Sequence, residues 1–432
     1  MKFEVLKKSH LKKNIIIGVL VVGIISTIVL NFTRARYRVT QSIPLVTGTI
    51  NYTLADLNIV AITIDGQESD TLPEGNYTLL DSSYCTIDGE NANLTINWDT
   101  ETQALSITPF TTKGTKCYLD FAKIVSVSDT LLANYPTQLT RTDFSSTVTN
   151  TTTGTIYYED TSKGRTYYFA GNPTDNWVSF AGYYWRIIRI NENGSIRLIY
   201  SGDAGNGPST TGSSTNISTS TWNGNNWDNT YVGYMYSEAY QSDYPSVHAN
   251  LYDSMAKSAV DVWYENNLIE YNDYLDQNVG FCGDRIPYVG SGFGDEDTYY
   301  GPFARLSSYQ PTFECENGND YYTTKESLSG NNALTYPIGL ISADEVAYAG
   351  GVIEVLNQSY YLYTGQDYWL ISPHSYVSNS AYVFMLNSSG ALTSSYLDSF
   401  TPHGVRPVIN LRADVTISSG NGTLNSPYVI GS

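Results

Sequence analysis

Two histidines near the end of the chain stand beside aromatic and hydroxyl residues, where they could bind a metal ion or contact a ligand. His374 and His403 enclose a region that ends in "SYLDSFTPH" (Ser395–His403), a segment with neither a helical nor a strand period. Imidazole nitrogens are common zinc ligands, so a metal pair is one interpretation. Exposed contact residues are the other interpretation, which we favour.

Other residues with catalytic or metal-binding chemistry do not form a recognisable motif. The acidic run "GDEDTYYG" (Gly294–Gly301) could hold Ca²⁺ through Asp295 and Asp297, but it lacks a regular ligand spacing and favours a solvated loop. The chain contains no H-E-x-x-H, G-x-S-x-G or phosphate-binding glycine loop. A carboxylate pair for glycoside hydrolysis stays open, because separation in space cannot be read here. We predict a binding protein, not an enzyme, with no catalytic residue, metal or cofactor.

The four cysteines form two local pairs, Cys85 with Cys117 and Cys282 with Cys315, at separations of 32 and 33 residues. In an exported chain this arrangement predicts two disulfides, one for each domain. A zinc site would prefer short C-x-x-C pairs with a histidine nearby, and the sequence has none.

The charge of the chain is unevenly distributed. Its net charge is −19, yet residues 1–38 hold eight Lys and Arg against Glu4 alone, so the remainder carries −26. So acidic a region repels phosphate backbones, which excludes nucleic acid as a partner. The chain also has 38 Tyr, a residue that suits recognition surfaces, although a tyrosine-rich β protein without a ligand stays an alternative.

The apolar run "NIIIGVLVVGIISTIVLNF" (Asn14–Phe32) is long enough to cross a bilayer. Lysines precede it, which predicts a cytoplasmic tail at 1–13, a transmembrane anchor at 14–32 and an external C-terminal part. A cleaved signal peptide or a pilin-like helix stays open.

The chain has 432 residues, and turn and strand patterns divide the part that follows the apolar run into further domains. Residues 48–124 read as a small β-sandwich-like spacer of immunoglobulin type, with a turn at Asp65-Gly66 and a hairpin in "LTINWDTETQALSITP" (Leu94–Pro109). A Ser/Thr-rich linker is predicted at 125–154. The domain at 155–432 contains an N-G hairpin turn at Asn193-Gly194.

Two helices are predicted in this larger domain. In "ANLYDSMAKSAVDVWYENNL" (Ala249–Leu268) the residues Leu251, Met255, Ala259 and Val262 recur at helical spacing and predict one apolar face. In "LISADEVAYAGG" (Leu340–Gly351), Ser342 and Glu345 have the spacing of a capping box, and two glycines end the helix.

Four segments in order carry a family resemblance: "YYWRII" (Tyr183–Ile188), "LISADEVAYAGG", "YWLISP" (Tyr368–Pro373) and "GVRPVINL" (Gly404–Leu411). Together they resemble a C-type-lectin-like domain of the formylglycine-generating-enzyme type, over roughly half of the chain. The implied fold class is an N-terminal transmembrane helix, a small all-β immunoglobulin-like domain and an α+β C-type-lectin-like domain.

Two activities within this resemblance do not match the residues present. The enzymes that oxidise cysteine to formylglycine keep a cysteine pair in their C-terminal part, whereas this chain has no cysteine after Cys315. Calcium-dependent sugar lectins carry "EPN" or "QPD" with "WND", and here only "WDN" occurs, at Trp227–Asn229.

The chain resembles more closely the variable proteins of diversity-generating retroelements, in which the segment before "GVRP" is rewritten at template adenines. Template AAC codons become NNC codons, which cannot encode Lys, Gln, Glu, Trp or Met. Between Ile371 and His403 only Met385 departs from that rule. The resemblance implies a rigid frame that includes Trp369, Val405, Arg406, Val408 and Leu411. It also implies ligand-contact residues, namely His374, Tyr376, Ser378, Asn379, Tyr382, Phe384, Tyr396, Asp398, Phe400 and His403.

We therefore expect a membrane-anchored bacterial surface protein that binds an extracellular protein or glycan through this variable face. An adhesin or structural surface protein without diversification stays an alternative, and an enzyme of the formylglycine-generating or glycan-active kind is a further one.

Overall fold

The computed structural model describes residues 57–74, 77–100, 102–109, 114–123, 125–397 and 402–431. The chain divides into two compact units, Met1–Ile124 and Val125–Ser432, which are described separately. The predicted cytoplasmic tail (1–13) and transmembrane anchor (14–32), together with Asp398 and Phe400, lie outside the described residues. Within those ranges no helix has the length and apolar character needed to span a membrane.

The predicted fold class is wrong, because the described residues are mostly β-sheet with few and short helices. The longest α-helix, Met255–Asn267, has 13 residues. The other α-helices are Val127–Asn134, Tyr244–Val247, Gly301–Ser307 and Ala343–Tyr348. Short 3₁₀-helices occupy Ser213–Thr215, Asn229–Val232, Ile269–Tyr274 and Gly318–Asp320. Segments rich in Tyr, Thr and Val pair as strands between these helices, as their β propensity favours, so the larger unit is mainly β and not α+β.

The described part of the smaller unit forms a mixed sheet and a separate hairpin. Its strands are β1 Leu57–Ile64, β2 Gln67–Ser69, β3 Tyr77–Leu79, β4 Tyr84–Ile87, β5 Glu90–Ala92, β6 Thr95–Asp99, β7 Ala104–Thr108 and β8 Thr115–Lys123. The sheet order is β2-β1-β8-β4-β5, with β3 also on β8, while β6 and β7 pair with each other. The predicted turn at Asp65-Gly66 is confirmed, and both residues have positive φ, 51° and 75°.

Both predicted disulfides are confirmed, but the first has a different place in the fold from that of an immunoglobulin domain. Cys85 and Cys117 face each other on neighbouring strands β4 and β8 of one sheet. The bridge of an immunoglobulin domain joins two sheets, so the immunoglobulin-like prediction is corrected. Cys282–Cys315 lies in the larger unit.

The larger unit is built on an 11-stranded sheet whose main path is β23-β28-β14-β13-β11-β10-β9. Its strands are β9 Thr137–Leu139, β10 Thr155–Thr161, β11 Gly164–Tyr168, β12 Trp177–Phe180, β13 Tyr183–Ile190, β14 Ile196–Asp203, β15 Gly207–Pro208, β23 Ile338–Leu340, β28 Pro407–Leu411, β29 Ile417–Ser419 and β30 Tyr428–Ile430. The predicted hairpin across Asn193-Gly194 is confirmed as β13 and β14. Strand β28 is buried along its whole length, so this part of the sheet lies in the core.

A second sheet of seven strands has the main path β16-β27-β24-β21-β20, and β25 and β26 continue it beyond β24. Its strands are β16 Ser218–Ser220, β20 Pro287–Val289, β21 Thr298–Tyr300, β24 Tyr368–Val377, β25 Ser380–Leu386, β26 Leu392–Tyr396 and β27 His403–Val405. Two short pairs complete the unit, β17 Met235–Tyr236 with β18 Tyr252–Asp253 and β19 Phe281–Cys282 with β22 Tyr321–Tyr322.

Residues 125–154 pack into the larger unit, although the sequence predicts a linker here. Ser126 caps the Val127–Asn134 helix by accepting a hydrogen bond from the Asp129 N–H. Val127, Leu131 and Tyr135 are buried in the main core of the unit. Strand β9 then pairs with β10 in parallel. The boundary between the units therefore lies near residue 124.

The predicted Met255–Asn267 helix exists, but its predicted apolar face is wrong. Leu251, Met255 and Val262 are exposed. The buried residues are instead Ala256, Lys257, Val260 and Tyr264. Burial of Lys257 is possible because its ammonium group pairs with Asp253 at 3.1 Å and Asp261 at 2.5 Å, one helical turn away on each side.

The predicted capping box of the Ala343–Tyr348 helix is confirmed, and it also anchors the central sheet. The Ser342 hydroxyl accepts from the Glu345 N–H, while Glu345 Oε2 accepts from the Ser342 N–H at 2.9 Å. Glu345 Oε1 then meets Arg189 at 3.1 Å and Arg197 at 2.6 Å, on strands β13 and β14. Burial opposes ionisation of Glu345, but these two guanidinium groups hold its pKa below the ordinary value.

Candidate functional site

The residues predicted to form a frame beneath the candidate site are buried. Trp369 is fully buried on β24, where its indole N–H donates to the Ser220 carbonyl at 2.7 Å. Val405, Val408 and Leu411 are fully buried as well. Because an indole with a satisfied N–H resists rotation inside a packed core, β24 has a fixed position relative to β16.

Arg406 is buried between the two sheets, as the sequence predicts for the frame. Its Nε donates to the Tyr200 carbonyl at 2.8 Å, and its Nη1 donates to the Leu362 carbonyl at 3.3 Å. The guanidinium also lies 5.3 Å from the centre of the Tyr368 ring. These contacts join the junction between β27 and β28 to β14 and to the loop before β24.

Two of the predicted contact residues form the turn between β24 and β25. Ser378 and Asn379 are exposed and have φ values of 52° and 59°, as a two-residue type I′ hairpin turn requires. The Ser378 N–H donates to Asp297 Oδ1 at 3.0 Å. This contact ties the acidic loop around Asp297 to the hairpin.

The register of the second sheet brings three tyrosines into one row. Tyr299 on β21 lies opposite Ser375 on β24, Ser375 lies opposite Tyr382 on β25, and Tyr382 lies opposite Tyr396 on β26. Residues opposite each other in an antiparallel sheet share a face. We call Tyr299, Tyr382 and Tyr396 the tyrosine row; Tyr382 and Tyr396 are predicted contact residues, and Tyr299 is not among them.

The tyrosine row is partly open to solvent. The rings of Tyr382 and Tyr396 lie 4.5 Å apart, and 48% of Tyr396 is exposed. Burial and the neighbouring Tyr396 hydroxyl raise the pKa of Tyr382 to about 12, so the Tyr382 phenol is a neutral hydrogen-bonding group at physiological pH. At one end, the Tyr299 ring packs 4.7 Å from Phe303.

Tyr376 and Phe384 do not belong to an exposed face, although the resemblance implies that they contact a ligand. Both side chains are fully buried. The Tyr376 hydroxyl donates to the Trp227 carbonyl and to Asn379 Oδ1, each at 3.0 Å. Phe384 lies under the ring of His374 at 4.8 Å. These two residues support the surface from below.

His374 is half-buried between aromatic rings. Phe303 and Phe384 lie 4.9 and 4.8 Å from its ring centre, and its Nδ1 makes a 2.8 Å hydrogen bond with Ser375 Oγ. Burial lowers the pKa of His374 to about 4. The imidazole is therefore neutral near pH 7.

His403 has a separate environment, so the two histidines have different partners. Its Nε2 pairs with Ser395 Oγ at 2.9 Å, and its ring lies 4.5 Å from that of Trp369. Burial lowers its pKa, with a smaller opposing effect from Asp367. Across the described ranges, no group of three or more His, Cys, Asp or Glu side chains could hold a metal ion. Asp398 and Phe400, which complete the predicted set, lie outside the described residues.

Sequence reasoning missed a second aromatic feature beside the hairpin. Trp227 and Tyr240 stack at 4.9 Å with 29° between their planes. Their loop reaches the hairpin through the Asn226 carbonyl, which accepts from the Ala381 N–H at 2.6 Å. The Tyr376 side chain, which donates to the Trp227 carbonyl, shares a face with Ala381, whereas Tyr382 shares the opposite face with Ser375. The Trp227 loop and the tyrosine row therefore lie on different faces of the sheet. The sequence feature that could have predicted this aromatic stack is the pair of tryptophans in the polar segment "WNGNNW" (Trp222–Trp227).

No family model, curated protein or solved structure matches this chain. The family resemblance therefore rests on the four quoted segments and stays a prediction.

Proposed function

We propose that the larger unit is a binding module that presents the tyrosine row to an extracellular protein or glycan. The observation that carries this proposal is the placement of Tyr299, Tyr382 and Tyr396 in one cross-strand row. Tyrosine offers a rigid ring and a hydroxyl at low entropic cost, which suits a contact surface. The buried frame around Trp369 and Arg406 supports it, because a surface fixed before binding loses little freedom when a partner arrives.

The test is a double variant, Tyr382→Ala with Tyr396→Ala. The purified protein is applied to a printed glycan array and to an array of extracellular proteins. We expect the double variant to bind its partner at least about tenfold more weakly than the wild type, because aromatic residues at the centre of an interface dominate binding. Its melting temperature should change little.

The matched control replaces two tyrosines away from the row, Tyr252→Ala with Tyr309→Ala, each 45% exposed and thus close to Tyr396. This control should bind like the wild type. Equal binding by the Tyr382/Tyr396 variant and the wild type to every protein and glycan on the two arrays would contradict the proposal.

We also propose the variable-protein interpretation for the region from Ile371 to His403. Its support is the lack of Lys, Gln, Glu and Trp between these residues, together with exposed positions such as Ser378, Asn379 and Tyr396 on a buried frame. The decisive observation is the DNA around the gene. A near-repeat of the coding region that differs at adenines, next to a reverse transcriptase, would support it; related genomes without such a repeat favour the undiversified adhesin.

A location outside the cytoplasm is the third part of the proposal. All four cysteines are in disulfides, which persist in oxidising compartments. Protease added to intact cells should therefore degrade both units. Protection of both units until the cells are lysed would contradict an external location.

A further inference from the structure

An open groove of about 620 Å³ lies in the larger unit, away from the predicted contact residues. One wall consists of aromatic side chains from β13, β14 and the Met255–Asn267 helix: Tyr183, Tyr200 and Trp263. Polar residues of the following turns, including Asp203, Asn206 and Ser213, line the other side. The volume lies within the usual range for small-molecule sites.

The aromatic wall is one continuous surface. The Trp263 ring lies 5.0 Å from Tyr183 and 5.8 Å from Tyr200, at interplanar angles of 64° and 80°. Rings this close touch one another, so they leave no space between them for a ligand. An aromatic cage for a quaternary ammonium ion needs such a space. Trp263 and Tyr183 are half-buried and therefore present ring surface to the groove.

The Asp203 carboxylate is held in place at the opposite rim. Its Oδ1 accepts from the Asn206 N–H at 2.8 Å and from the Gly205 N–H at 2.9 Å. The Asn206 backbone contact is the main cause that lowers the pKa of Asp203, which keeps it ionised. An ionised carboxylate is a strong acceptor for hydroxyl donors. The Asn206 side-chain NH₂ also donates to the two Asp203 oxygens, at 3.2 and 3.1 Å. Asn206 and Ser213 are exposed, so they add an amide oxygen and a hydroxyl group to the rim.

We propose that this groove binds a neutral carbohydrate, a short oligosaccharide with the flat C–H face of one ring against Trp263 and hydroxyls toward Asp203 and Asn206. Among the described residues that line the groove, Asp203 alone is charged, so an anionic ligand would be repelled. The continuous aromatic wall disfavours an enclosed cation. This site shares no residue with the tyrosine row and goes beyond the function proposed above.

The test measures binding of five neutral trisaccharides to the purified protein by calorimetry: maltotriose, cellotriose, mannotriose, xylotriose and triacetylchitotriose. Sialyllactose and choline serve as anionic and cationic comparison ligands. We expect at least one neutral trisaccharide to bind and to change the tryptophan fluorescence. Trp263→Ala and Asp203→Asn should each weaken that binding at least about tenfold, because each removes one of the two recognition elements.

Ala204→Trp tests whether binding is lost because the groove is blocked or because the protein misfolds. Ala204 is an exposed rim residue, so its replacement obstructs the groove without removing a buried side chain. It should abolish sugar binding and leave the melting temperature unchanged. The Tyr382→Ala, Tyr396→Ala variant should bind the sugar like the wild type, which separates this site from the tyrosine row. Failure of all five neutral sugars to bind, a preference for choline or sialyllactose, or undiminished binding by Ala204→Trp would each overturn the proposal.

Discussion

At the residue scale, Glu345 both caps a helix and forms buried ion pairs, and only the helix cap could be predicted from the sequence. The S-x-x-E spacing predicts its reciprocal bond with Ser342, which depends on residues three positions apart. Its ion pairs with Arg189 and Arg197 join segments about 150 residues away in the chain, and no local pattern records them. A carboxylate buried with two cations is costly to disrupt, since the unpaired charges stay in the core.

Glu345→Ala should therefore destabilise the larger unit by about 3–5 kcal/mol. Urea unfolding, monitored by tryptophan fluorescence, measures this change. Glu265→Ala is the control, because Glu265 is exposed on the Met255–Asn267 helix and should stay within about 0.5 kcal/mol of the wild type. A cost below about 1 kcal/mol for Glu345→Ala would show that the buried pairs contribute little to folding.

His374 gives the larger unit a specific pH dependence. Its pKa in the folded state is about 4, below the value of 6.5 for a free imidazole. The unfolded chain therefore binds a proton first as the pH falls, and stability should decrease between about pH 6.5 and 4. The decrease from this residue is up to about 3 kcal/mol.

Denaturant unfolding at pH 7 and pH 4.5, compared between the wild type and His374→Asn, isolates this effect. Asparagine can keep a bond to Ser375 but does not titrate. His248 and His403, whose pKa values are also lowered by burial, titrate in both proteins. The variant should lose less stability on acidification than the wild type; equal losses would contradict the assignment to His374.

At the scale of the elements, the helix Met255–Asn267 shows where sequence patterns stop being sufficient. The spacing correctly predicts a helix, and Ser254 caps it by accepting from the Lys257 N–H. The same spacing predicts the wrong buried face, because the prediction assumes that a lysine faces the solvent. Two aspartates one turn away on either side make burial of Lys257 acceptable, and this turns Met255 and Val262 outward.

Two identical substitutions on this helix test which face is buried. Val260 is 0% and Val262 is 59% exposed, although only two positions separate them. Val260→Ala should cost about 2 kcal/mol, through lost burial and the cavity left behind. Val262→Ala should stay within about 0.5 kcal/mol. If thermal or urea unfolding showed a larger loss of stability for Val262→Ala than for Val260→Ala, the buried face predicted from the sequence would be the right one.

The strands of the candidate site were easier to predict than the directions of their side chains. Strand β24 is covered on both faces for most of its length, and its pairing with β25 is interrupted on both sides of Pro373. Strict alternation therefore fails, and it does not reveal that Tyr376 is buried. Tyr299 was not predicted for another reason, because it belongs to β21 and precedes Tyr382, the next member of the row, by more than 80 positions in the chain.

At the scale of the whole molecule, each unit has its own hydrophobic core and its own disulfide. The smaller core includes Ile62, Leu119 and Phe121 around the Cys85–Cys117 bridge. Cysteine spacing predicts both pairs because each bridge closes a local loop. Composition alone places the boundary between the units wrongly. The many Ser and Thr residues in 125–154 suggest a linker, but a few apolar residues of this segment, including Val127 and Leu131, are buried in the core.

Two units with separate cores should unfold in two calorimetric transitions, and each disulfide should affect one of them. The bridges close loops of 32 and 33 residues, so each should stabilise its unit by roughly 3–4 kcal/mol through the lost entropy of the unfolded chain. Cys85→Ser with Cys117→Ser should lower the melting temperature of the smaller unit alone. Cys282→Ser with Cys315→Ser should lower that of the larger unit alone, so each pair serves as the control for the other. A single transition that shifts equally with either pair would mean that the two cores unfold as one.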